Sequence, residues 1–206
     1  MTRSFAVTWD YRCPFARNAH EHVLAGLAGG ADWDVTFVPF SLGQVHVAEG
    51  EPPIWDRPGE DSGLLALRLG VAVRDQRAEV FPAVHRDLFA LRHDHAGQLS
   101  DPAALREVLA PHVGGEEADR LLGAADDDAT LATVRAEHER VAAERAVWGV
   151  PTFMAGPAAA VFVRLMDRNP GVTEEDRGRG RAGVERILDL LEWDDLNEYK
   201  HTSIAR

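Results

Sequence analysis

Phe5-Ala-Val-Thr-Trp-Asp-Tyr-Arg-Cys-Pro-Phe-Ala-Arg-Asn-Ala-His20 changes texture twice within sixteen residues. The run Phe5–Trp9 is apolar and rich in strand-forming residues, so it reads as a short strand. Asp10-Tyr11-Arg12 makes a polar corner. The residues from Asn18 to Leu27 read as a helix that Gly29 and Gly30 close. The only cysteine of the chain, Cys13, therefore sits where a strand hands over to a helix. Pro14 suits the first helical position, where a missing N–H costs nothing. Cys13 then becomes the N-cap residue, with its sulfur near unpaired amides and the positive end of the helix dipole. That setting favours the thiolate, the nucleophilic form. The plainer account, a small buried hydrophobe, fits most free cysteines, but a Cys-Pro at such a junction is an unusual place for a core filler.

Outward from this stretch, Asp34–Phe40 alternates and carries β-branched and aromatic residues, so a second strand is expected, with Pro39 at an edge or bend. Strand, helix and strand in about forty residues form a βαβ unit with parallel strands. Residues 41–59 are irregular and hold three prolines, with Ile54 and Trp55 expected to be pinned into a groove. Helical texture then runs from Asp61 to Val147. Five helices are expected: Gly63–Val73, Ala78–Arg92, Ala103–Leu109, Glu116–Leu122, and a long one from Asp126 to about Val147. On this last helix Leu131, Val134, Val141 and Trp148 form an apolar stripe, and His138 falls on it. A histidine there is usually a core residue, although it could approach Cys13 if the helix abuts it. Val150–Met154 and Ala159–Val163 read as a hairpin turning at Gly156-Pro157. Residues 168–183 are polar and Gly-rich, which predicts a loop. A final amphipathic helix is expected over Val184–Leu191, followed by a polar surface tail.

The bulk numbers exclude several classes. The chain has 206 residues, 45% of them hydrophobic, enough to fill a core. A net charge of −12 argues against nucleic acid as a partner, since backbone binding needs clustered Lys and Arg. One cysteine excludes an internal disulfide framework and a multi-cysteine zinc site. His93-Asp94-His95 has metal-like spacing but no evident further ligand, so no metal is expected. No apolar run approaches the ~20 residues a bilayer span needs. The N-terminus lacks the apolar core of a signal peptide, so a cytoplasmic location is expected.

The order βαβ, helices, ββα, the Cys13-Pro14 junction and Trp148-Gly-Val-Pro-Thr-Phe153 before the hairpin together resemble an α/β thioredoxin-like fold. The large helical insertion resembles the DsbA-like branch. Relatives of that branch include 2-hydroxychromene-2-carboxylate isomerases, kappa-class glutathione transferases and mycothiol-dependent reductases. The resemblance implies a thioredoxin-like domain over residues 1–59 and 148–193, a helical insertion over 60–147 and a tail over 194–206. It implies a cis peptide between Val150 and Pro151, with the backbone before Pro151 beside the cysteine, where an extended thiol substrate pairs in β-fashion. It makes Cys13 the catalytic residue, Pro14, Phe15 and Ala16 the rest of the active-site motif, and Tyr11, Val150, Pro151 and Thr152 the substrate contacts. Arg12 and Arg17 flank the cysteine and could stabilise its thiolate.

The chain departs from the dithiol pattern of that family. Ala16 stands where a second cysteine would resolve a mixed disulfide. The resemblance then implies a monothiol oxidoreductase whose partner is a low-molecular-weight thiol, glutathione or mycothiol. An isomerase or transferase dependent on the same thiols is the second reading, and a non-catalytic binding module using the Val150-Pro151 groove is the third. Many relatives pair up, which makes a homodimer through the Ile54-Trp55 loop an expectation by analogy.

Overall fold

A computed structural model describes residues 1–156, 159–193 and 195. Four strands, β1 (Arg3–Trp9), β2 (Trp33–Pro39), β3 (Thr152–Ala155) and β4 (Ala159–Phe162), form one sheet in the order β2-β1-β3-β4. β1 and β2 run parallel, with Arg3 opposite Trp33 and Trp9 opposite Pro39. β3 lies antiparallel to β1, with Val7 opposite Phe153, and β4 antiparallel to β3. Pro39 ends an edge strand, where its missing N–H breaks no ladder. Phe5, Val7 and Trp9 alternate into the core, as the period of a strand requires. The hairpin strands are where the sequence predicts them, while Pro157 in the expected turn lies outside the described residues. The expected tail also lies outside them, apart from Asp195.

Helix α1 (Pro14–Ala28) follows β1, and the short α2 (Leu42–Val45) follows β2. The insertion holds α3 (Leu64–Gln76), α4 (Phe81–His93), α5 (Pro102–Val113), α6 (Gly115–Asp126) and α7 (Asp128–Arg145). Five helices are present where five are expected, with shifted ends. α4 starts with Pro82 in its first turn, and α5 continues through Pro111 to Val113. α7 stops at Arg145 because Ala146 turns left-handed, φ 52°. Trp148 consequently leaves the predicted apolar stripe and is 62% exposed. Among the described residues no helix is long and apolar enough to cross a membrane.

The largest correction concerns α8, which spans Glu174–Leu191. Residues 174–183, expected as loop, are its first half. Thr173 caps it: its side chain accepts from the Asp176 amide, and the Asp176 carboxylate accepts from the Thr173 amide, a complete capping box. Two of the glycines that suggested a loop, Gly180 and Gly183, serve packing instead. A Cβ on Gly180 would meet the His22 carbonyl of α1 at 2.7 Å and the Ala25 Cβ at 2.9 Å. Their absence lets α8 lie directly on α1.

A buried polar ladder ties the insertion to the sheet. The Thr8 carbonyl can only accept, so His20 donates from Nε2 to it, at 3.1 Å. His20 Nδ1 then accepts from His85 Nε2 at 2.9 Å. His85 Nδ1 in turn accepts from the Tyr11 hydroxyl at 2.8 Å. All three side chains are buried, and every position in the ladder is filled when both histidines are neutral. Burial holds His20 down to about 4, lowers His85 well below its ordinary value and raises the Tyr11 hydroxyl.

Candidate active site

Cys13 is the N-cap of α1, in extended conformation, with Pro14 in the first turn. The Ala16 amide donates to its sulfur at 3.4 Å. The sulfur faces the Val150 carbonyl, to which the Cys13 thiol donates at 3.4 Å. The Val150–Pro151 peptide bond is cis. The chain thus brings Cys13, Val150 and Pro151 together from positions 137 and more residues apart.

Two fastenings hold this pair of loops. On the proline side, the Thr152 amide donates to Thr8 Oγ1 at 2.8 Å, and the Thr152 hydroxyl to the Gly149 carbonyl at 2.8 Å. On the cysteine side, the buried Asp10 carboxylate accepts from the Arg12 amide at 2.9 Å, Arg12 Nη2 at 2.7 Å and the Leu42 amide at 2.8 Å. Arg12 Nη1 continues to Asp61 at 3.0 Å. Gly43 leaves room for this staple, since a Cβ there would sit 1.7 Å from Asp61 Oδ2.

Several residues expected at the substrate turn out to be committed inside the protein. Tyr11 is fully buried and its hydroxyl belongs to His85, so it does not face the groove. The Thr152 hydroxyl and amide are spent on the cis-proline loop itself. Arg12 joins the corner to Asp61. Arg17 is buried and pairs with Glu21 at 3.2 Å and with Asp94. His138 is a core histidine: it stacks on Phe40 at 4.1 Å, meets Trp55 edge-on, and accepts from the Ser41 amide at 3.1 Å. Burial pushes it down to about 4. Ile54 and Trp55 are buried within the chain, as expected of residues pinned into a groove. His93, at the end of α4, contacts the Tyr11 carbonyl at 2.9 Å through Nε2.

Sequence reasoning missed the residues that do stand at the mouth of the site. Arg164, just after β4, lies over the Phe15 ring at 5.1 Å and the Phe162 ring at 5.5 Å. The exposed Trp148 packs against Phe162, tilted, at 4.5 Å between ring centroids. Among the larger influences on the Cys13 sulfur, the cation is Arg164, which lowers the thiol.

The electrostatics of Cys13 run against the local reading. Burial pushes its thiol up, and the buried Asp10 pushes it further; the amides of Ala16 and Phe15, with Arg164, oppose this without winning. Alkylation of the resting protein is therefore expected to show a midpoint above that of a free thiol, ordinarily near 8.5. Intact mass after iodoacetamide pulses across pH checks this, and a midpoint below 7.5 contradicts it.

No family model matches the chain. An uncharacterized protein of Mycobacterium tuberculosis is 29% identical over an alignment of 226 positions that covers 96% of this chain and 95% of that protein. Among solved structures, the cytosolic disulfide reductase DsbM of Pseudomonas aeruginosa with GSH superposes with a TM-score of 0.62 at 14% identity, covering 90% of this chain and 99% of that one. The DsbA of the same organism gives 0.58 at 17% identity, over 94% of this chain and 84% of that one. Reduced DsbA1 from Neisseria meningitidis gives 0.55 at 14%, over 93% and 87%. Identities this low speak for fold and leave activity open. The chain has the DsbA-type thioredoxin fold with a helical insertion, and it carries one cysteine at the start of the first helix of that fold.

Proposed function

We propose that this chain catalyses thiol–disulfide exchange through Cys13 alone, with a low-molecular-weight thiol, glutathione or mycothiol, completing the cycle. The observation that carries this reading is the pairing of the Cys13 sulfur with the Val150 carbonyl beside cis-Pro151. In the first step the Cys13 sulfur attacks the small-thiol sulfur of a mixed disulfide between that thiol and the substrate. A new S–S bond forms, the old one breaks, and the Cys13 proton ends on the departing thiolate. A small thiol then attacks the Cys13-bound disulfide, restores the Cys13 thiol and leaves as an oxidised dimer. Ala16 cannot perform that second step, so the external thiol is required.

The resting thiol is protonated, and this reading assigns its activation to the substrate. A substrate N–H that pairs with the Val150 carbonyl competes for the acceptor that now holds the thiol proton. The sulfur is then left with the Ala16 amide, which favours the thiolate. A cytoplasmic location, where such thiols are abundant, belongs to the same proposal.

The test exposes reduced protein to glutathione disulfide and follows intact mass. One adduct is expected, located at Cys13, and excess glutathione is expected to remove it. A chain that takes no adduct while folded, or one that holds it against millimolar thiol, overturns the proposal. Turnover of 2-hydroxychromene-2-carboxylate without any adduct would favour the isomerase reading instead.

A further inference from the structure

Near Cys13 lies a cation, Arg164, whose donors are unspent among the described residues. Arg164 makes no hydrogen bond or ion pair among the described residues. Its guanidinium carbon lies over the Phe15 ring at 5.1 Å and over the Phe162 ring at 5.5 Å. A cation–π contact spends no N–H donor, so the fork of the guanidinium stays available to a planar anion. The segment that carries it is fixed. Asn18 on α1 donates to the Leu165 carbonyl at 2.8 Å and to the Met166 carbonyl at 3.1 Å. On the other side, the Val163 amide donates to the Pro151 carbonyl at 3.1 Å. Arg164 is therefore held between the Cys13 helix and the cis-proline loop, the two elements that frame the reactive sulfur.

An anionic ligand gains little from the protein as a whole. The net charge is −12, so the long-range field repels a carboxylate. A single exposed cation over an aromatic shelf is the local feature that reverses this at the sulfur.

We infer that Arg164 is a specificity-determining residue that binds a carboxylate of the small thiol, so that the partner of Cys13 is an anionic thiol of the glutathione class. This deepens the exchange reading above and rests on it for the identity of the reacting sulfur. The exposed Trp148, packed against Phe162, extends the shelf over which the rest of the ligand would lie. A glycosidic thiol without a carboxylate, such as mycothiol, gains nothing from the Arg164 fork.

The experiment compares wild type with Arg164→Gln in two measurements. The first is binding of S-methylglutathione, which has no free thiol and cannot exchange. The second is the rate of Cys13 adduct formation with glutathione disulfide, which is anionic, and with 2-hydroxyethyl disulfide, which is neutral. Loss of a charge-assisted hydrogen bond predicts about tenfold weaker binding of S-methylglutathione and about tenfold slower reaction with glutathione disulfide. Reaction with the neutral disulfide is expected to slow less, only by what loss of the Arg164 charge at the Cys13 sulfur imposes on both disulfides, since it has no carboxylate for the fork to hold. Equal slowing of both disulfides overturns the inference, because it would assign Arg164 to the thiolate and not to the ligand. Unchanged binding in the variant overturns it too, as does wild-type protein that fails to bind S-methylglutathione at tens of millimolar. If Cys13 reacts with neither disulfide while S-methylglutathione binds through Arg164, the anion subsite stands and the exchange reading falls.

Discussion

Lowering the pH from 7 to 5 is expected to cost this protein a large part of its stability, before its carboxylates begin to titrate in bulk. The cause is the Tyr11–His85–His20–Thr8 ladder. In the unfolded chain His20 takes a proton near 6.5, while burial holds it to about 4 in the fold. Above pH 6.5 both states are neutral and stability does not depend on this residue. Between 6.5 and 4 the unfolded chain binds a proton that the folded chain refuses, so stability falls as pH falls. Once the pH is below 4 the loss is complete, at about 3 kcal/mol for His20 alone. His85 is lowered further, and His138 is also lowered, to about 4, so both push the same way. The structural reason is a shortage of acceptors. A proton added to His20 Nδ1 faces the His85 N–H with no place to donate, and one added to His85 Nδ1 claims the Tyr11 oxygen and leaves the Tyr11 O–H without its acceptor. Against a typical total of 5–15 kcal/mol, that loss is decisive. Urea denaturation midpoints measured at half-unit steps from pH 7.5 to 5 check it. A midpoint that stays level across that range would show that the histidines titrate normally, and the ladder would then have to be open to water.

How far the sequence reaches depends on whether the physics is local. The handover from β1 to α1 is local: an apolar run, a polar corner and a proline at the first helical turn specify it without help from elsewhere, and Cys13 is where that reading puts it. The hairpin and the five insertion helices follow from periodicity in the same way. The start of α8 was not legible because its glycines are read two ways. In isolation Gly178, Gly180 and Gly183 weaken a helix, whereas against α1 the missing Cβ of Gly180 is what allows contact. The Thr173 capping box was the available signal, and Gly-rich composition hid it. Site residues divide along the same line. Tyr11 and Thr152 neighbour the motif in sequence, yet the ladder and the loop claim their hydroxyls. Arg164 and Trp148 are far from Cys13 in sequence and reach the groove only through the sheet order β1-β3-β4. The acidity of Cys13 fails as a local inference for a related reason. A helix N-terminus favours thiolate, but how deeply the sulfur is buried, and that Asp10 lies inside with it, are tertiary facts.

Asp10 is where stability and reactivity oppose each other most directly. Asp10→Asn keeps the shape of the side chain and removes its charge. The Arg12 guanidinium loses its buried partner and keeps only Asp61, and one oxygen that accepts from backbone or Arg12 becomes an amide nitrogen that cannot. Breaking a buried ion pair costs 3–5 kcal/mol. Arg12 is partly exposed and retains Asp61, so the expected loss lies at the low end, about 3 kcal/mol. The same change acts on Cys13 in the favourable direction. The Asp10 charge raises the Cys13 thiol, so its removal lowers the alkylation midpoint and speeds exchange at neutral pH. A variant that is less stable and more reactive is therefore expected, with the two effects read separately by chemical denaturation and by alkylation across pH. A second variant, Asp61→Asn, serves as the comparison. It weakens the same staple through Arg12, but the larger influences on the sulfur include Asp10 and not Asp61, so it is expected to lower stability with less movement of the alkylation midpoint. If both variants shift that midpoint equally, loosening of the Cys13 corner is the cause and the charge on Asp10 is not. If neither shifts it while both destabilise, burial alone sets the acidity of Cys13. The resting thiol would then be kept inert by its packing against the Val150 carbonyl, and displacement of that contact would be the only route to activation.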